Sequence, residues 1–430
     1  MTDGDRTIKV AELGRVEGEG ALHVRVKDGQ VQQVRLELYE PPRFFESLLR
    51  GRSYLEPVDI TARICGICPI AYQMSAGVAI EDACGITVGG PIHDLRRLIY
   101  CGEWIESHAL HVYLLHAPDF LGYDSAIAMA RDHADAVKAG LQLKKAGNQI
   151  VEVVGGRPVH PVNPRVGGFH RAPSRAELEV LVAPLEKAYE TARSTVRWTA
   201  TFDFPEFEPD WELVSLWHAS DYPMLGDRIV STRGLDIPVR DFAMEFTEQQ
   251  SGHSTALLSR HRGQPYLVGP LARFALNFDK LSADVRAEAM SAGVDASCRN
   301  PFRSIIVRAL ETMEACAIAL DLIRGYSEPA SGYVEVKPRA GTGYGASEAP
   351  RGLLYHSYEL DAAGLIKHAV IVPPTAQNQL AIEDDLRGVI GANLHLENDR
   401  LRALGEQTIR NYDPCISCAT HFLRVEVDDK

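Results

Sequence analysis

The chain has 430 residues, 45% apolar and 24% charged, the balance of a soluble globular protein long enough to bury a large core. Its formal net charge of −13 argues against nucleic acid or an anionic membrane as the main partner. The start, Met1-Thr2-Asp3-Gly4-Asp5-Arg6, is polar without an apolar signal core, and no apolar run long enough to span a bilayer follows, so a cytoplasmic location is expected.

The first element is a β-hairpin. Leu22, Val24 and Val26 alternate with polar residues, Asp28-Gly29 supplies a tight turn, and Val34, Leu36 and Leu38 alternate again. From Cys68, after Pro69, an amphipathic helix is expected to run to Asp82. Asp94 to His116 is a second, with Leu95, Leu98, Ile99, Ile105, Leu110 and Leu114 at helical spacing. Ser125 to Val154 is a third. Ser174-x-x-Glu177 is a capping box that opens a helix reaching about Arg197. Residues 203–270, rich in proline, glycine and aromatics, read as irregular with short strands. Ala283 to Ile323 carries one or two helices, interrupted at Asn300-Pro301. A second hairpin is expected from Leu353–Leu360 and Leu365–Val372 around Asp361-Ala362-Ala363-Gly364. No internal repeat, low-complexity segment or flexible linker stands out. The expected fold is one α+β domain over residues 1–430, mostly helical, with small N-terminal and C-terminal β-hairpins around a helix bundle.

Two Cys-x-x-Cys pairs, Cys65/Cys68 and Cys415/Cys418, stand at opposite ends of the chain. Each pair brings two sulfurs within reach of one metal, and soft thiolates select zinc, iron–sulfur, nickel or copper. A structural zinc knuckle usually takes its ligands from one short segment. This spacing instead requires the fold to bring the chain ends together around a buried metal, although it leaves open a tetrahedral zinc on the same four cysteines. Cys84, Cys101, Cys298 and Cys316 are scattered and read as buried small hydrophobes. Thiols used for metal fit a reducing cytoplasm. There is no Gly-x-Gly-x-x-Gly fingerprint after a strand and no further cysteine cluster for iron–sulfur centres.

The flanking residues narrow the choice. Arg63-Ile64-Cys65-Gly66-Ile67-Cys68 and Asp413-Pro414-Cys415-Ile416-Ser417-Cys418-Ala419-Thr420-His421 resemble the signature motifs of the nickel–iron hydrogenase large (catalytic) subunit. Gly14-Arg15-Val16-Glu17-Gly18, Arg43-Phe44-Phe45-Glu46 and Glu348-Ala349-Pro350-Arg351-Gly352 agree, so the resemblance runs from about residue 10 to residue 421. The segment Glu103 to His111, and the ending soon after the last cysteine, resemble the cytoplasmic NAD(P)-linked branch, the sulfhydrogenases.

The resemblance implies reversible heterolytic cleavage of H2, which needs a soft metal for the hydride and a base for the proton. It implies nickel on all four sulfurs, with Cys65 and Cys415 terminal and Cys68 and Cys418 bridging to an iron that carries two cyanides and a carbonyl. Arg351 would overhang the two metals, with Asp413 as its charge partner. Glu17 would be the first proton acceptor beside a terminal cysteine, with Glu19, two residues on, the competing carboxylate. Glu46, the Val370 carbonyl and His421 would hold a second metal, magnesium or iron. His108, His111 and His116 read as packing near the centre, and Gly155 to Pro161 as structural. Implied partners are an iron–sulfur small subunit, flavin- and NAD(P)-binding diaphorase subunits, and a maturation protease. Two departures stand out. Ser107 replaces an aspartate of many relatives, and Pro374 replaces the Ser or Thr that bonds a cyanide, so either Thr375 substitutes or that contact is missing.

Two other functions fit the same fold: a regulatory hydrogen sensor with little turnover, and a metal-free structural relative, against which all four cysteines argue. Sensors often lack a removable C-terminal tail, whereas this chain carries Phe422 to Lys430 beyond His421. Burying that acidic tail whole would strand charges. The resemblance implies a protease that cuts after His421 once nickel is in place, so cleavage there is the expected outcome. The intact mass of active protein checks it: a fully nickel-loaded, fully active sample that retains the tail would contradict it and favour the sensor.

Overall fold

The computed structural model describes residues 6–39 and 44–420, so Arg43, His421 and the 422–430 tail lie outside the described residues. The expected front hairpin is present as Gly20–Lys27 and Gln30–Leu38, antiparallel. Asp28 (φ 52°) and Gly29 (φ 69°) both take the left-handed conformation that its two-residue turn needs. A further strand, Arg6–Val10, pairs with Gly20–Lys27 and completes a three-stranded sheet.

The buried face of this sheet, Leu22, Val24, Leu36 and Leu38, joins one core with Ile382, Leu386 and Ile390, with Leu401 and Ile409, and with Ile416 beside the second cysteine pair. Ile382, Leu386 and Ile390 belong to helix Pro374–Ala392, and Leu401 and Ile409 to Asn398–Arg410, neither of which the periodicity marks. Side chains lock the contact: Glu383 Oε1 accepts from Leu36 N–H at 2.9 Å, and Gln379 Nε2 donates to Leu36 O at 3.0 Å. This core draws the two ends of the chain together.

The back hairpin is also one strand larger than expected. Gly341–Ala349, Gly352–Leu360 and Ile366–Val372 form an antiparallel sheet in that order. Its first strand begins Gly-Thr-Gly-Tyr-Gly, which hides the alternating pattern. The glycines serve close approach: a Cβ on Gly343 would stand 2.1 Å from Ala79 O, and one on Gly345 2.4 Å from Ser75 O. The strand thus lies directly on helix Pro69–Cys84. That helix is not amphipathic as expected, since it is buried nearly all round, between this sheet and its neighbouring helices.

Helix Gly90–Leu110 touches it and in turn packs on Ala134–Gly155 and Ser304–Arg324, with Val182–Thr199 against Ser304–Arg324. Several boundaries differ from the sequence reading. The second helix begins at Gly90, and its last turn, His111–His116, is π-helical. The third divides into Ala126–Met129 and Ala134–Gly155. The Ser174–Glu177 capping box is present but serves only Arg175–Glu179. A new helix starts at Val182, because Pro184 has no N–H to bond the Val180 carbonyl. Ala283–Ser291 and Ser304–Arg324 are separate, as Asn300-Pro301 suggested. Five short strands lie between residues 203 and 270. Cys84, Cys101 and Cys316 are buried and Cys298 half-buried, none in a disulfide.

Gly345→Val tests the strand-on-helix contact. Overpacking of this kind costs about 1–3 kcal/mol. The thermal midpoint should fall, and because Cys68 caps the helix beneath, metal retention should fall with it. An unchanged midpoint would contradict the contact.

Candidate active site

Four sulfurs from the two chain ends meet in one buried place. The Sγ atoms of Cys65, Cys68, Cys415 and Cys418 all lie within 4.8 Å of one another. Cys65 Sγ is 3.4 Å from Cys415 Sγ, and Cys68 Sγ 3.6 Å from Cys418 Sγ. Cys415 and Cys418 Sγ are 2.7 Å apart.

Each pair sits where a loop turns into a helix. Cys68 is the N-cap of Pro69–Cys84, with proline at the first position, where no N–H is needed. Cys68 supplies no capping oxygen, so Glu103 does the work from the neighbouring helix. Its carboxylate accepts Ile70 N–H at 2.6 Å and Ala71 N–H at 3.1 Å. Cys415 begins the short Ile416–Ala419 helix, and its N–H donates to Thr375 Oγ1 at 2.9 Å. Thr375 is therefore built into the cysteine loop, and as an acceptor there it keeps its own hydroxyl proton to donate.

Arg351 occupies the tight turn between strands Gly341–Ala349 and Gly352–Leu360 and is buried. Its Nε donates to Asp413 O at 2.7 Å and its Nη2 to Asp413 Oδ1 at 3.1 Å, while Nη1 has no partner among the described residues. Burial alone would lower the guanidinium pKa, but Asp413 and the sulfurs outweigh it and hold the charge. Asp413 adopts φ 48°, and burial pushes its carboxyl up against the pull of Arg351.

The turn that presents Arg351 rests on a buried ion network. Arg273 donates Nη1 to Ala349 O at 2.7 Å and Nη2 to Pro350 O at 3.1 Å. The same guanidinium pairs with Glu311 at 2.8 Å and Glu348 at 2.9 Å. His108 Nε2 lies 3.0 Å from Glu311 Oε2, and burial lowers that imidazole to about 4. His111 Nε2 donates to Arg410 O at 2.7 Å. Both histidines thus pack and position, and among the described residues neither belongs to a group that could hold a metal. His160, in the segment read as structural, holds φ 48° with Nδ1 2.7 Å from Ala62 O, three residues before Cys65.

Glu17 comes from the front of the chain and reaches the cluster. Its backbone bridges to Cys415, with Ile416 N–H donating to Glu17 O at 2.9 Å. Its Oε2 lies 3.0 Å from Cys415 Sγ and accepts Ser417 N–H at 3.0 Å. Burial, and then the charge at Cys65, push its pKa up. Glu19 is exposed, so of the two carboxylates Glu17 is the one at the sulfur.

At the second predicted metal position, Glu46 Oε1 accepts Ile371 N–H at 2.8 Å, which sets its carboxylate beside the Val370 peptide. His421 lies outside the described residues.

The residues fit a thiophilic metal. The four thiols are buried and crowded. S–H donation from Cys415, Cys418 and Cys68 drives Cys65 well below the ordinary thiol range, while burial drives Cys415 and Cys418 well above it. A soft cation removes that conflict by taking all four as thiolates.

Residues 43–149 and 240–421 match the family described as nickel-dependent hydrogenase, and the chain belongs to it. It is a hydrogenase large subunit, an oxidoreductase acting on H2. Sulfhydrogenase 1 subunit alpha of Pyrococcus furiosus is 33% identical over 426 residues, 97% of this chain and 98% of that one. Sulfhydrogenase 2 subunit alpha of the same organism is 34% identical over 97% of this chain and 100% of its own length. Among solved structures, an NAD+-reducing [NiFe]-hydrogenase in the H2-reduced state superposes with a TM-score of 0.89 at 24% identity, covering 97% of this chain and 100% of the other.

Sequence reasoning missed the supports: Glu103, Arg273, Glu311 and a buried carboxylate, Asp385. Trp211 Nε1 donates to Asp385 Oδ1 at 2.9 Å, and the Tyr412 hydroxyl bonds Oδ2, just ahead of Asp413. Burial raises Asp385 to about 7, against about 3.9 for an ordinary aspartate. A raised folded-state pKa favours folding at low pH, and that contribution is lost as pH rises from about 4 towards 7. Asp385→Asn mimics the protonated acid. Its stability relative to wild type should improve between pH 5 and pH 8 in denaturant titrations, and parallel curves would contradict the assignment.

Proposed function

We propose that the chain works as one domain, the catalytic subunit of a cytoplasmic nickel–iron hydrogenase coupled to NAD(P). The observation that carries this is the buried four-sulfur cluster with Arg351 and Glu17 against it. Cys65, Cys68, Cys415 and Cys418 would hold a nickel–iron group, its iron carrying cyanide and carbonyl, through their four sulfurs. That group, when bound, supplies the soft Lewis acid that polarises H2.

The protein does the rest. Four thiolates hold the metals. Arg351, kept charged and oriented by Asp413, sets a fixed positive charge at the site without moving a proton itself. Glu17 Oε2 exchanges a proton with Cys415 Sγ across 3.0 Å. The Ser417 N–H holds that oxygen in place. Glu46, the Val370 carbonyl and His421 would hold magnesium or iron.

Electrons must leave through another chain, since neither a dinucleotide fingerprint nor an iron–sulfur cysteine cluster is present in this sequence. An iron–sulfur small subunit docked near the nickel, with flavin- and NAD(P)-binding subunits beyond it, supplies the route. Among the described residues no helix is long and apolar enough to cross a membrane. The likeness to sulfhydrogenase alpha subunits, and the 26% identity over 472 residues to the NAD-reducing hydrogenase HoxS subunit beta of Cupriavidus necator, support the NAD(P)-linked reading.

Cys68→Ser tests the metal assignment. A hard serine oxygen cannot replace a soft bridging thiolate. Elemental analysis and infrared spectra of the purified complex should show loss of the nickel–iron centre and of hydrogen turnover. A Cys68→Ser protein with full nickel and normal activity would refute it.

A further inference from the structure

The segment that carries Glu17 is fastened by one buried carboxylate away from the metal cluster. Asp119 lies in the first turn of the short Ala117–Leu121 helix, and its side chain is 7% exposed. Arg410 reaches it with two bonds, Nε to Oδ2 at 2.7 Å and Nη2 to Oδ1 at 2.8 Å. Arg15 Nη2 pairs with Oδ1 of the same carboxylate.

Both arginines also grip backbone. Arg410 Nη1 donates to Gly14 O at 2.9 Å, and Arg15 Nη1 donates to Leu115 O at 2.7 Å. The Arg410 carbonyl in turn accepts from His111. One carboxylate therefore joins three stretches of chain: the Gly14–Glu17 turn, the end of the π-helical segment, and Arg410, which leads into the Cys415 loop.

The turn needs such a fastening. Arg15 holds φ 61°, a conformation that an L residue adopts only where its surroundings impose it. Glu17 lies two residues further on, with its carboxylate 3.0 Å from Cys415 Sγ. Arg410 has a second carboxylate, Glu406, whose Oε2 lies 3.4 Å from its Nη1, but among the described residues Asp119 alone pairs with both arginines. Removing the Asp119 charge would leave the Arg15 guanidinium without its carboxylate beside Arg410, and the two segments they belong to would part.

We propose that Asp119 is a positioning residue for proton transfer: by clamping Arg15 and Arg410 together it holds Glu17 at bonding distance from Cys415. The proposal rests on the reading of Glu17 as proton acceptor. Asp119 touches neither substrate nor metal ligands in this account, and its action on the chemistry passes through Glu17.

The test uses the assembled complex and four variants: Asp119→Asn, Arg15→Gln, Glu17→Gln and the double variant Asp119→Asn/Glu17→Gln. Three quantities are read: H2/D2O exchange per assembled centre, with centres counted from the infrared carbonyl and cyanide bands; the positions of those bands; and amide hydrogen exchange of the peptide spanning residues 12–20. Asp119→Asn should slow exchange per centre about tenfold or more, as misplacement of a reacting group by around an ångström does. The infrared bands should not move, and the 12–20 peptide should exchange its amides faster. Arg15→Gln leaves the Asp119–Arg410 pair neutral and intact, and should shift both readouts in the same direction, which keeps the test open if Asp119→Asn does not assemble.

Coupling separates positioning from general structural support. In the Glu17→Gln background the Asp119 substitution should add less than about a twofold further loss, because the group it positions is already disabled. A full multiplicative loss there would overturn the proposal. So would per-centre rates within about twofold of wild type for the single Asp119 and Arg15 variants. If Glu17→Gln itself exchanges at the wild-type rate, the Glu17 reading fails. The amide exchange of residues 12–20 then still reports whether the clamp exists.

Discussion

Everything at this site depends on holding four buried sulfurs, two from each end of a 430-residue chain, within 4.8 Å of one another. Thiolates repel, and burial raises the cost of each charge. The protein meets this with geometry. A hydrophobic core from the front sheet, two C-terminal helices and Ile416 brings the chain ends together. Glu103 then fixes the helix that begins at Cys68, and Thr375 fixes the peptide of Cys415. Neither of these two is a sulfur ligand, yet both decide where a sulfur stands.

Charge is organised in a second layer. Arg351 is buried and held by the Asp413 carbonyl and carboxylate, so it faces the sulfurs in one orientation. Its turn is hung from Arg273, which is itself neutralised by Glu311 and Glu348. Buried ion pairs of this kind add little net stability, because desolvation offsets much of the attraction. Their use here is orientation: the fork of Arg273 holds the Ala349 and Pro350 carbonyls, and with them the backbone that aims Arg351. Glu348 is pushed up to about 7 by burial, while Glu311 is drawn down to about 2 despite burial, chiefly by Arg273 and His108.

Much of this was legible in the sequence, for identifiable reasons. The front hairpin showed because its strands bury one face and its turn needs left-handed residues. The cysteine pairs, Arg351, Asp413 and Glu17 showed because their short flanking motifs are specific. The glycine-rich strand Gly341–Ala349 did not show, since its glycines answer to a helix backbone that only the fold supplies. Helix Pro69–Cys84 was read as amphipathic and is instead buried nearly all round, because local pattern cannot reveal how many neighbours a helix will have. Glu103 and Arg273 were unreadable for a related reason. Each acts on a segment some 30 to 80 residues away, with no motif of its own.

The central claim is that these four cysteines hold nickel as thiolates in one centre. Nickel-edge X-ray absorption on the purified, active complex tests it most directly. The account predicts that the nickel shell contributed by the protein is made of sulfur alone, and that replacing any one of the four cysteines by serine removes that shell. Nickel bound through nitrogen or oxygen side chains, or these four cysteines holding zinc in a sample that splits H2, would contradict it.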